Sequence, residues 1–169
     1  MVNVGIDRDQ LAAWLDDAYA MESGLVGILQ THATQLDQVM PSAAQRLREH
    51  IAETRTHATR VEQCLTVLGH KPSAIKSTLS FAIGAAEGAS TALFKDHIIK
   101  DVLADYAAEQ FEVVCYTAMM AAATRLGFSE ITRLCALNLA EDQAMASWLI
   151  DKVPTVIARA ASMPVQPRQ

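Results

Sequence analysis

Asp17-Ala18-Tyr19-Ala20-Met21-Glu22 decides how this chain folds, because the stretch ends on an acid where a hydrophobic residue is due. Leu11, Leu15, Ala18, Glu22, Leu25 and Leu29 follow one another at spacings of four and three, the pattern of a buried bundle seam. An ionised carboxylate buried there without a partner is strongly destabilising. Glu22 must therefore be paired, protonated or bound to a metal ion. Which of these holds depends on whether other segments do the same.

Working outward, the spacing predicts a helix from just after Asp7 to about Gln38, with Asp7 as its cap and Gln10 completing a capping box. Met40-Pro41-Ser42 breaks it, and Ser42 with Gln45 repeats the capping pattern for a second helix that runs to Leu68 and stops at Gly69. The second seam reads Ala43, Leu47, His50, Thr54, His57, Val61, Cys64, Leu68. His70-Lys71-Pro72-Ser73 is a turn, and Ser73 caps a short helix from Ala74 to Glu87. Gly84, Gly88, Ser90 and Thr91 interrupt longer periodicity, so this part reads as a crossover laid over the bundle. A third helix from Lys95-Asp96 to Gly127 has the seam Ile98, Val102, Asp105, Glu109, Glu112, Tyr116, Met119, Ala123, Leu126. Ser129 opens a fourth, with Ile131, Leu134, Asn138, Glu141, Met145, Trp148 and Lys152 inward and Pro154 ending or kinking it.

Short first and last turns make two antiparallel hairpins, and the long second-to-third link lets them share one sense. The expectation is an all-α, ferritin-like up-down four-helix bundle over residues 1–160, its long crossover containing a short helix, followed by a loosely ordered tail at 161–169. Composition agrees: 51% of residues are hydrophobic but only 5% aromatic. A net charge of −5, with Arg46, Arg48, Arg55 and Arg60 scattered on one helix, argues against nucleic acid as a partner. The N-terminus lacks a basic region followed by an apolar core, and no apolar stretch reaches membrane-span length; Leu79 to Phe94 comes nearest and contains Glu87. Cys64, Cys115 and Cys135 are odd in number and set in apolar helical runs, which suits buried free thiols in a reducing, cytoplasmic compartment.

Distance to the turns tells which acids meet. Glu22 lies 18 residues before Met40 and Glu53 13 after it, a height difference of roughly 7 Å. Glu112 lies 15 residues before Gly127 and Glu141 14 after it, which makes those two level. Glu109 shares the face of Glu112, and His50 and His57 flank Glu53 on its helix. The expected layer is Glu22, Glu53, Glu109, Glu112 and Glu141 with one or two imidazoles. No Lys or Arg stands on the seams near mid-bundle, so charge balance favours metal cations over an ion-pair core. Oxygen donors with an imidazole suit iron or manganese, one or two ions.

Other residues carry less. Tyr19, Tyr106 and Tyr116 sit within about a turn of the layer and read as core packing, and Trp14 and Trp148 as anchors at bundle ends or at a subunit interface. His32 is about 15 Å from Glu22 along the helix, too far to share its centre. His70 and His97 fall in or near connections, and Asp105 reads as solvated bundle interior. A phosphate loop, a nucleophile elbow and a metal-spaced cysteine pair are all missing from the sequence.

Asp17-Ala-Tyr-Ala-Met-Glu22, His50-Ile-Ala-Glu53-Thr54, Cys64-Leu-x-x-Leu-Gly69-x-Lys-Pro-Ser73 and Glu109-x-Phe-Glu112-x-x-x-Tyr116 resemble the YciE/YciF family of stress-associated, ferritin-like bacterial proteins. The resemblance runs from Leu11 to about Pro154 and implies a homodimer with a di-metal centre. More distantly the layout is similar to rubrerythrins, ferritins and manganese catalases. In those, Glu22, Glu53, Glu112 and Glu141 would match the acids, and Glu109 the extra third-helix Glu of rubrerythrins. The histidines depart: three residues after Glu53 comes Thr56, with His57 one further, and after Glu141 come Ala144 and Met145. The expected metal ligands are Glu22, Glu53, His57, Glu109, Glu112 and Glu141, acting on oxygen or peroxide in stress protection. The alternative is a non-enzymatic dimeric bundle that binds or sequesters metal, or a partner, with an incomplete centre.

Overall fold

In the computed structural model, residues 5–73 and 97–162 are described. Among them the chain forms four helices and their turns, with no strand: α1 Arg8–Leu36, α2 Pro41–Val67, α3 His97–Leu126 and α4 Ser129–Ser162.

Local chemistry sets the ends. Asp7 takes the N-cap of α1, its Oδ1 accepting from the Gln10 amide at 2.8 Å, and Asp9 lies in the first turn near the positive end of the helix dipole. Pro41 opens α2 at a position where its missing N–H costs nothing. Met40 is the N-cap and offers no side-chain bond, so the capping box expected from Ser42 does not form; Ser42 is already inside the first turn. Gly69 (φ 74°) and Gly127 (φ 81°) stop α2 and α3 in the left-handed conformation that other residues adopt at a cost. There the amides of His70 and Phe128 reach back to the carbonyls of Leu65 and Ala123, each at 2.9 Å. Arg8 adds a second stop, donating at 2.6 Å to the Leu68 carbonyl, which ties the start of α1 to the end of α2.

α1 packs along α2 and α3 along α4, while α1 also meets α3 and α2 meets α4. The pairs α1/α4 and α2/α3 are therefore diagonal. Glu22 bonds Tyr116 and His32 bonds Asp105, so α1 and α3 run in opposite directions. It follows that α2 and α3 run in the same direction, so the second hairpin runs opposite in sense to the first and not, as expected, with it; this is the ferritin-like arrangement. The short helix expected between Ala74 and Glu87, and the manner of its crossing, lie outside the described residues, as does 163–169.

The seams of α1 and α2 are buried as the spacing predicts, with Leu11, Leu15, Leu47 and Cys64 at most 1% exposed. Each large aliphatic side chain so buried contributes about 1.5–3 kcal/mol before cavity terms. In α4 the helix continues through Pro154, so the proline does not end it, and it reaches Ser162, which places 161–162 of the expected tail in the helix. Pro154 and Ile150, whose carbonyl loses its usual donor, both lie on an exposed face where water can serve that carbonyl.

Candidate metal centre

At mid-bundle each helix seam turns polar at one level. α1 contributes Glu22, α2 His50 and His57, α3 Glu109, Glu112 and Tyr116, and α4 Asn138 and Asp142; none is more than 2% exposed. Counting from the turns explains the register. His57 is 17 residues past Met40, against 18 before it for Glu22, and Glu112 and Asp142 each stand 15 from Gly127.

The two histidines of α2 are wired alike. His50 Nε2 meets Glu109 Oε1 at 2.8 Å on the inside, and its Nδ1 meets Glu53 Oε2 at 2.8 Å on the outside. His57 Nε2 meets Glu141 Oε2 at 2.7 Å on the outside, and its Nδ1 faces inward, 3.5 Å from Glu22 Oε2 and 3.3 Å from Asp142 Oδ1. Each outer carboxylate is held by an arginine: Glu53 by Arg46 at 3.2 Å, Glu141 by Arg60 at 2.7 Å. Such outer partners orient an imidazole and fix which nitrogen carries its proton.

A further chain steadies Glu22. Its Oε1 accepts from the Tyr116 hydroxyl, which accepts from Asn138 Nδ2 at 2.9 Å. Asn138 Oδ1 in turn accepts from Arg60 at 3.0 Å. With one oxygen of Glu22 committed, the other is left pointing at His57 and Asp142.

The inner acids are crowded. Ligand-capable oxygens of Glu109, Glu112 and Asp142 all lie within 4.8 Å of one another. Two full charges that close repel by about 3–4 kcal/mol even at an effective dielectric of about 20. Burial, followed by the Glu22 and Glu109 charges, therefore lifts Glu112 well above the usual carboxylate range. Burial also raises Asp142 to about 9, although His57 opposes it. Glu109 is raised by burial against the pull of His50. Burial pulls both histidines down, but facing carboxylates overcome it and leave His50 and His57 raised. The layer therefore holds positive charge avidly, as protons or as metal.

A direct test of fit is whether the layer leaves donors without partners. Glu22 Oε2, Glu109 Oε2, Glu112 Oε1, both oxygens of Asp142 and His57 Nδ1 are buried and make no hydrogen bond. Buried polar atoms are almost always bonded, so six orphans in one layer are a group built to receive something. Five carboxylate oxygens and one imidazole nitrogen are a donor set compatible with a hard or borderline divalent cation.

Glu22, His57, Glu109 and Glu112 are thus brought together, while Glu53 and Glu141 are not inside. Their side chains are 34% and 32% exposed, in ion pairs with Arg46 and Arg60. No arginine stands on a seam, as the sequence has it, but Arg46 and Arg60 bring their long stems in from the flank to the outer carboxylates. Asp142, which the spacing missed, takes the inward place on α4, and His50 takes one on α2. Asp105 is not solvated either; it is 5% exposed and bonded to His32 Nδ1 at 2.8 Å. His70 and His97 are exposed, as expected. Among the described residues no helix is long and apolar enough to cross a membrane.

Comparison with known proteins agrees with this architecture. The model of a family described as a domain of unknown function (DUF892) matches residues 7–162. A protein of Xanthomonas campestris pv. campestris is similar with a TM-score of 0.76 and 28% identity, covering 91% of this chain and 95% of its own. The Escherichia coli stress protein YciF superposes with a TM-score of 0.72 at 19% identity, covering 92% and 97%. Desulfovibrio desulfuricans bacterioferritin, whose structure carries a diiron site, superposes with a TM-score of 0.70 at 14% identity, covering 96% and 95%. At these last two identities the likeness speaks for the fold alone.

Proposed function

The chain belongs to the DUF892 family, a YciF-like group with the ferritin-like fold, and from its mid-bundle layer we propose that it holds iron or manganese and handles oxygen or peroxide. The six unpartnered donors in that layer carry the reading. Glu22, His57, Glu112 and Asp142 would hold one ion, with Glu109 and His50 serving a second. Such an ion supplies an open coordination position and a change of oxidation state.

The protein's own residues would do the rest. Tyr116 and Asn138 fix Glu22, Arg60 and Glu141 fix the His57 ring, and Arg46 with Glu53 does the same for His50. Leu15, Leu25, Met119 and Met145 keep bulk water out. Elemental analysis and anomalous scattering, on protein produced with iron and with manganese, test the reading. One or two ions in the layer are expected; a layer empty of metal under both conditions overturns it.

A second reading is a bundle that takes up metal without turnover. It is favoured by α4, which offers Asp142 but no histidine, Ala144 and Met145 following instead. Peroxide-consumption and ferrous-oxidation assays separate the two: continued turnover supports the first, a single stoichiometric uptake the second.

A further inference from the structure

One end of the bundle is not packed shut. Where the α1–α2 turn meets the start of α3 and the later turns of α4, Met40, Ala43, Leu47, Asp101, Asp105 and Lys152 line a cleft of about 20 Å³. That is room for one water or one small ion. Most of the wall is apolar, so two carboxylates on it need a reason. His32 supplies part of one: its Nδ1 meets Asp105 Oδ1 at 2.8 Å, and its Nε2 stands 3.5 Å from Asp101 Oδ1. A clamp between α1 and α3 would need only one of those acids, however. Lys152 is the one base among the described lining residues, and its Nζ is drawn to the Trp148 ring, 5.7 Å from the centroid.

The cleft lies directly over the mid-bundle layer. Asp101, Asp105 and Glu109 follow one another at four-residue steps along α3, about 6 Å each. Leu47 of the cleft is three residues from His50 on α2. His50 and Glu109, bonded to each other at 2.8 Å, are therefore the first level inside. Glu109 is 1% exposed, and its Oε2 makes no hydrogen bond. We infer that the cleft is a transit site for divalent cations, where Asp101 and Asp105 draw the ion from solvent and pass it along α3 to Glu109. The inference rests on the metal reading given above. With Oδ1 turned to His32, Asp105 keeps Oδ2 for the ion, and His32 acts as a positioning residue that holds the two acids at their spacing. The ion exchanges water ligands for carboxylate oxygens in sequence, with no change of oxidation state, and the unpartnered oxygen of Glu109 receives it at the layer. Acids on low-dielectric walls concentrate cations at the mouth, an effect that raises entry rates by about 10–10³-fold.

Stopped-flow electron paramagnetic resonance tests the route, because the signal of free manganese(II) collapses as the ion is bound. The metal-free full chain is mixed with manganese(II) as wild type, as the double variant Asp101→Asn with Asp105→Asn, as Ala43→Leu and as Glu49→Gln. The amide oxygen of Asp105→Asn still accepts from His32, Ala43→Leu fills the cleft without changing charge, and Glu49→Gln removes an exposed charge outside it. Uptake should slow about tenfold or more in the double variant and in Ala43→Leu, with the wild-type number of ions bound at equilibrium. Glu49→Gln should keep the wild-type rate. A wild-type rate in either cleft variant, equal slowing in Glu49→Gln, or an ion lost at equilibrium overturns the route while leaving the metal reading in place. Should Ala43→Leu not fold, the double variant decides alone. A wild-type chain that takes up no manganese overturns the metal reading and the route with it.

Discussion

Asp142 brings Oδ1 to 3.3 Å from His57 Nδ1, and neither atom makes a hydrogen bond. Two buried groups of matching polarity that stop short of bonding mark a place held open between them. Glu22 Oε2, 3.5 Å from the same nitrogen, borders it as well.

Asp142→Asn should therefore act oppositely on the two states of the protein. It removes a ligand, so manganese or ferrous affinity should fall more than about tenfold. It also mimics the protonated acid without having to take up a proton on folding, so the metal-free protein should melt higher than wild type at neutral pH. Calorimetric titration and thermal unfolding read the two effects; unchanged affinity would remove Asp142 from the centre.

The metal-free protein should lose stability as pH rises from 6 to 9. Asp142 is raised to about 9 when folded, so between its unfolded value of about 4 and that folded value the native state alone keeps the proton. Stability from such a group is complete below the unfolded pKa and is lost as pH climbs through the folded one, at up to about 1.4 kcal/mol per pH unit. Glu109, Glu112, His50 and His57 are raised too and act with the same sign. Metal competes with these protons, so the rise in melting temperature on adding manganese should grow over the same range. Thermal unfolding at several pH values, with and without metal, checks both slopes.

Glu141→Gln and Glu53→Gln should weaken metal binding by about 10–100-fold, less than Asp142→Asn, because each acts through a histidine. Metal stoichiometry should stay as in wild type. Loss of a whole ion from either variant would make that carboxylate a ligand and overturn the placement.

Tyr116→Phe should cost about 1–3 kcal/mol in urea unfolding, since it strands Glu22 Oε1 in a dry core and leaves Asn138 Nδ2 only its bond to the His57 carbonyl. An effect below about 0.5 kcal/mol would mean the chain from Glu22 to Arg60 is slack.

How much of this could be read in the sequence follows from helix geometry. α1 and α3 were legible because their acids sit in phase with leucines and alanines, so Glu22, Glu109 and Glu112 announce themselves. On α2 the seam itself ran through His50, Thr54 and His57, and Glu53 stands one residue, or about 100°, off it. On α4 the buried stripe is wide, taking both Leu134 and Cys135 and both Met145 and Ala146, so spacing alone did not separate Glu141 from Asp142. The distance from Gly127 would have separated them had the inner level been counted from His57. Arg46 and Arg60 were invisible because a flank position says nothing about where a long side chain ends.

The layer draws Glu22, His50 and His57 from the first hairpin and Glu109, Glu112 and Asp142 from the second. Each hairpin closes through neighbours near in sequence and can form early, whereas the acids confront one another only when the hairpins dock. Docking is thus the step that charge opposes, and a bound cation or proton would speed refolding there while slowing the separation of the two halves.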